Sequence, residues 1–296
     1  MQMSLINTII EQLINGLRTG SIYALIAIGY TMVYGIAKMI NFAHGDIIMV
    51  GAYVLYLFIS LLHIPAVPAV LLTILVCAVL GVAIEKVAYK PLRKAQPLAV
   101  LITAIGVSFF LQNLIQILFG ATPIPFGSII NVPAVKLGSI TISGITIVTL
   151  SVTTVCMIAL TLFINKTKAG RAMRAVSEDK GAAELMGINV NSTISLTFFI
   201  GSALAAVAGI LFICQYESLK PTLGALPGIK AFVAAVLGGI GSIPGAMLGG
   251  ILLGLIESIS KTINTDLSDA IVFGVLVIVL LVKPTGLLGK QRREKV

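Results

Sequence analysis

Charge is what this sequence has least of. Asp, Glu, Lys and Arg make up 10% of its 296 residues, where a soluble globular chain carries about a quarter. So little charge cannot cover a surface for water. With 58% hydrophobic residues, the outside of the fold must face lipid. Histidine and cysteine are scarce too. His44 and His63 stand at opposite ends of one apolar block, and so on opposite sides of a membrane. Cys77, Cys156 and Cys214 lie inside apolar stretches without metal-like spacing, so they read as small hydrophobes and imply no disulfide framework. There is no P-loop and no G-x-S-x-G elbow. The chain is therefore expected not to be an enzyme, and any ATP hydrolysis must come from another subunit. The first ten residues lack a basic n-region ahead of an apolar core, so no cleaved signal peptide is expected.

The net charge of +9 has no basic stripe interleaved with aromatics, which argues against nucleic acid as a partner. Its residues sit instead in short clusters between apolar runs. About 20 apolar residues cross a hydrocarbon core of about 30 Å. Such runs follow one another at 20–36, 42–62, 66–85, 97–118, 141–164, 193–214, 228–240, 243–259 and 268–283. The pattern predicts an all-α polytopic membrane protein, one permease-like domain over 1–296, with about eight (seven to nine) crossings in membrane lipid.

The connections differ in charge. Lys86, Lys90, Arg93 and Lys94 mark one; Lys166, Lys168, Arg171, Arg174 and Lys180 a second; Lys290, Arg292, Arg293 and Lys295 the tail. The positive-inside rule puts these three in the cytoplasm. Segment 119–139, with Pro123, Pro125, Pro133 and only Lys136, belongs outside. Between the second cluster and the tail the number of crossings must be even, yet three apolar blocks fill that interval. The middle block, near 228–259, is therefore expected to be a hairpin broken at Gly238, Gly239, Gly241, Ser242 and Gly245. Broken helices persist in a bilayer where the freed backbone lines protein or a watery cavity, which makes these residues translocation-path candidates. A single kinked span is the alternative. The N-terminus then falls outside, with residues 5–18 open as an extra helix.

Two further segments stand out. Asn41, His44 and Asp46 lie just inside an apolar block. Intramembrane polar groups mark passages or internal pairs, so these three are path candidates as well. The alternative is that Asn41 caps the next helix, with Asp46 in its first turn. Within a loop at about 166–191, Ser177 reads as the N-cap of a helix that Gly187 ends. Positions Asp179, Ala182, Ala183 and Met186 share a face, giving a small apolar knob suited to a groove on a cytoplasmic partner. The four-residue spacings Gly241–Gly245–Gly249 and Gly250–Gly254 suit close helix packing in lipid.

These residues resemble a known family. The run 20–35, then Ile40-Asn41-Phe42-Ala43-His44-Gly45-Asp46, the segment Glu178–Asn189, the stretch 231–246 and the closing 283–289 are similar to the H-type permease subunits of bacterial branched-chain amino acid ABC transporters. The resemblance runs from Ile14 to Gly289. It implies a multi-pass protein of the bacterial inner membrane with a cytoplasmic C-terminus. It further implies a second related permease subunit, two cytoplasmic ATP-binding subunits and an extracytoplasmic amino acid-binding protein. No cofactor would sit in this chain, ATP being bound by its partners. Arg171, Arg174, Glu178, Asp179, Ala182, Ala183, Met186 and Gly187 would form the ATPase-coupling loop, with Glu178, Ala183 and Gly187 matching its E…A…G pattern. Permeases for urea and short amides share much of this pattern and remain an alternative. A proton-coupled transporter using Asp46 and His44 is another.

Overall fold

A computed structural model of the chain describes residues 2–93, 95–137 and 140–289. Eleven α-helices follow in order among them: α1 Gln2–Ala37, α2 His44–Tyr56, α3 Ala66–Ile84, α4 Pro97–Phe119, α5 Gly144–Lys166, α6 Lys168–Glu178, α7 Lys180–Leu185, α8 Val190–Tyr216, α9 Ala225–Gly238, α10 Ile243–Ile263 and α11 Ser268–Val282. Seven of these stretches are long and apolar enough to cross a bilayer, and α9 and α11 are shorter apolar helices. The chain is an all-α polytopic membrane protein.

Local chemistry sets the boundaries. Ser143, Thr167, Asp179, Asn189 and Ser242 each accept a hydrogen bond from a backbone N–H in the first turn that follows, satisfying donors that a helix start leaves open. Pro97 and Pro244 stand at helix starts, where their missing N–H costs nothing. Helices α2 and α3 end in π-helical turns, Leu57–Leu61 and Glu85–Tyr89. Residues 5–18 are the opening turns of α1, continuous with its apolar part; they add no span. The opposite end of the bundle from the basic loops carries two short antiparallel pairings, β1 (Ile124–Pro125) with β4 (Ser218–Leu219) and β2 (Val135–Leu137) with β3 (Ile140–Ile142).

The core is α1 packed against α10, α8, α9 and α5, with α2 packed on α8. In α1, 89% of the apolar window is buried, against 22% in α4; α4 therefore shows most of its apolar surface to lipid or to another subunit. The crossing of α1 with α10 is glycine-lined. A methyl group on Gly250 would overlap the Ala24 backbone, and one on Gly254 the Gly20 backbone. The four-residue glycine spacing thus brings the two main chains into direct contact.

Helices α9 and α10 form the expected hairpin, but its halves are unequal. α10 is a full-length helix of 21 residues and α9 a half-length one of 14. Their turn lies at the basic end, beside the last turns of α1 and the 283–289 segment. The interruption inside the protein is at the other end of α9, near Gly224.

Candidate translocation path and coupling element

The loop at the basic end is two helices rather than one. Asp179, in extended conformation, separates α6 from α7 and caps the latter, its Oδ1 accepting from the Ala182 N–H at 3.0 Å. Ser177, the cap that its residue type suggested, instead donates to the Arg174 carbonyl at 2.7 Å from within α6. Both are good capping residues; Asp179 has the extended backbone a cap needs. Gly187 is left-handed (φ +78°) and closes the element as expected. Met173 and Val176 are buried on the inner face of α6. Arg171 reaches the Lys166 carbonyl and Arg174 the Asn165 side chain, at 3.4 and 3.3 Å.

The outward apolar face differs in one respect from the face read off the sequence. Ala183 is 3% exposed and packs inward, whereas Leu185 is 90% and Met186 82% exposed. The knob is Ala182, Leu185 and Met186. A six-residue helix is too short for its phase to show in the pattern, which is why Leu185 was missed. Across from it, Lys180 donates to the carbonyl of Ala37, the last residue of α1, at 2.9 Å. Burial, and then the neighbouring Arg93, hold the Lys180 ammonium below the usual lysine range.

Deeper in, α2 starts inside the protein. Asn41 does not cap it; the residue before α2 is Ala43, which makes no side-chain cap. Asn41 instead accepts from the Tyr89 hydroxyl at 2.8 Å, from the π-turn that ends α3. His44, 1% exposed, packs edge-on to Tyr30 with ring centroids 4.7 Å apart. Asp46 lies in the first turn of α2, as expected, and accepts from the Gln112 amide on α4 at 2.8 Å. His44 and Asp46 thus contact different partners, and no hydrogen bond joins them among the described residues.

The first turns of α2 and α9 meet here. A methyl group on Gly45 would come within 2.7 Å of the Gly224 carbonyl, and one on Gly228 within 2.8 Å of the Gly45 Cα; only glycine permits this approach. A cavity of about 140 Å³ opens beside the junction, with Tyr30, Asp46, Ser108, Gln112 and Gly228 on its walls. Half-helix N-termini carry partial positive charge and receive anionic solute groups in transporters. A carboxylate suits those N-termini and an ammonium suits Asp46.

The glycine turn is placed elsewhere. Gly239 and Gly241 are left-handed (φ +105° and +94°), and Gly238 and Gly245 touch backbone to backbone. Ser242 caps α10, accepting from the Gly245 N–H at 3.2 Å. Leu287 and Leu288 N–H groups bond the Leu237 and Gly238 carbonyls at 2.8 and 2.9 Å, closing the turn from outside. Of the path candidates, Asp46 stands on the wall of the junction cavity, and His44 packs against Tyr30, which also lines it. Asn41 pairs with Tyr89, and Gly238–Gly245 form a packed turn at the basic end. Gln112, Ser108 and Tyr89 were not singled out; each is an ordinary polar side chain in an apolar run, with no spacing to flag it. Lys94 and the basic tail lie outside the described residues.

Residues 12–280 match the family described as branched-chain amino acid transport system / permease component. The chain is 48% identical to the high-affinity branched-chain amino acid transport system permease protein BraD of Pseudomonas aeruginosa, over 97% of this chain and 98% of that one. It is 45% identical to the LivH permease of the corresponding Escherichia coli K12 system, over 97% of each. A probable LivH of Methanocaldococcus jannaschii is 30% identical over 91% of this chain and 89% of its own length.

Proposed function

The chain belongs to the branched-chain amino acid transport permease family, and from that premise we propose that it carries leucine, isoleucine and valine across the bacterial inner membrane. It is the membrane-spanning component of an ABC importer, not an enzyme, and such a component works with ATPase and binding-protein partners. Our reading adds a second, related permease subunit, two ATP-binding subunits on the side of the basic loops, and a C-terminus in the cytoplasm. ATP is bound by the partners alone.

The observation that carries the coupling is the pairing of an exposed Leu185–Met186 knob with a rigid link behind it. ATP-driven closure of the partners pushes on the knob. Lys180 passes the displacement to the end of α1, and buried Met173 and Val176 pass it to the bundle. Just beyond Ala37 lies the segment 38–43, which leads into Asn41 and on to Asp46. The α2–α9 junction then alternates between exposure to one side and the other.

The test is competition in vesicles holding the complete complex. Isoleucine and valine are expected to compete with labelled leucine and urea is not. Strong competition by urea, or uptake that follows a proton gradient without ATPase subunits, overturns the reading.

A further inference from the structure

A buried cluster of charges lies away from both sites described so far. Lys230, in the second turn of α9, bridges Glu257 on α10 at 3.0 Å and Asp269 at the start of α11 at 2.7 Å. Glu257 also takes Lys261 at 2.6 Å and the Tyr23 hydroxyl at 2.8 Å. The Lys230 and Glu257 side chains are only 8% and 3% exposed. Ionised groups within lipid-embedded helices are costly and mark solute pathways.

Lys230, Glu257 and Lys261 line one side of a cavity of about 450 Å³, within the size range of small-molecule sites. It opens by Ser218, Lys220 and Thr222, beyond the end of α8 and so on the side opposite the basic loops. Its remaining wall is apolar: Phe212, Tyr216, Leu223, Leu226 and Pro227. Lys220 makes no ion pair among the described residues. On Glu257, Oε1 takes both lysines while Oε2 takes only Tyr23. A carboxylate accepts about four hydrogen bonds, so Oε2 has capacity left for an incoming ammonium. Lys220 and Lys261 offer donors for a carboxylate close by.

Charges of both signs at one end and an aliphatic-aromatic wall at the other describe a zwitterion with an apolar side chain. We propose that this cavity is a loading site for the free α-amino acid, filled from the extracytoplasmic side before the solute reaches the α2–α9 junction. The inference rests on reading the chain as an amino acid permease and names where the solute first binds. A neutral amide or urea leaves the cations without an anion, and a site built for polar groups rejects an analogue that lacks them.

The probe is Leu226→Cys in a Cys156→Ser background, in the complete complex in nanodiscs without binding protein. Cys77 and Cys214 are buried, so a membrane-impermeant maleimide reports on position 226, read on this chain by mass spectrometry. Leucine should slow labelling about fivefold or more, the effect of a site mostly filled. Leucinamide, 4-methylpentanoate and urea should not. Adding Lys220→Gln and Lys261→Gln should remove the protection without changing the unprotected rate. Equal protection by urea or by 4-methylpentanoate overturns the site. The same complex, with binding protein and ATP, is assayed for leucine uptake. Uptake without protection overturns the site and leaves the permease reading standing; absence of both overturns the two together.

Discussion

Lys180 holds the carbonyl of Ala37 at 2.9 Å, joining the first residue of α7 to the last residue of α1. The last carbonyls of a helix have no partner within it, so a cation there is favoured by the helix dipole as well. The bond ties the basic-end loop to the helix at the centre of the bundle.

Lys180→Met keeps the stem and removes the donor. Leucine uptake should fall about fivefold or more, the effect of losing about 1 kcal/mol of coupling, while the complex still assembles and hydrolyses ATP. Uptake at the parent rate removes this link from the transmission route.

Leu185→Asp combined with Met186→Asp changes only exposed positions. Apolar anchors at an interface are each worth about 2 kcal/mol. The double variant should insert in the membrane normally yet lose co-purification with the ATPase subunits. Ala183→Asp should behave differently, lowering the amount of folded protein because it puts a charge on the inward face. Glu178→Arg and Gly187→Arg should likewise abolish uptake with insertion intact; the second also forces an L side chain into a left-handed residue, at about 1–2 kcal/mol. Retained assembly in the double variant discards the knob as the docking element.

Gln112→Leu removes one of the two side-chain donors to Asp46, leaving Ser108. A buried carboxylate deprived of a partner costs about 1–3 kcal/mol. Thermal stability should drop and uptake should fall with it, whereas Gln112→Asn tests whether reach as well as chemistry is needed. If Gln112→Leu transports normally, the Gln112–Asp46 bond has no part in the path.

Gly254→Val places a branched side chain against the Gly20 backbone. Overpacking of this kind costs about 1–3 kcal/mol, and contact with main chain leaves little room to relax. The variant should unfold at lower temperature in detergent than Gly274→Val, whose site has nothing within 4 Å. Equal melting of the two shows that the crossing tolerates separation.

How far the sequence alone reached follows from the range of the forces involved. Long apolar runs placed most spans to within a few residues, and charge parity required the α9–α10 hairpin. The first span, however, begins at Asn7 rather than near residue 20, because Glu11 and Arg18 interrupt its apolar pattern. One interruption was not local. Gly238–Gly245 is the break between α9 and α10 that its clustered glycines suggest, but a second interruption lies inside the protein at Gly224, where one glycine faces Gly45 from far along the chain. Lys230 and Glu257 passed unremarked within apolar blocks. A lone lysine among hydrophobic residues was a usable signal, but its partners lie on α10 and α11. Only tertiary packing makes the two charges a pair.

The glycine-lined crossing has a mechanical consequence. With backbones in contact at Gly20, Ala24, Gly250 and Gly254, α1 and α10 have no side-chain cushion through which to slide. They therefore act as one lever. Force applied to Ala37 at one end arrives at Tyr23, 14 residues or about 21 Å up the same helix. Tyr23 grips Glu257, and Glu257 grips Lys230. Under the proposed coupling, a push at the basic end is delivered to the charges lining the proposed loading cavity, and a single moving part times the two.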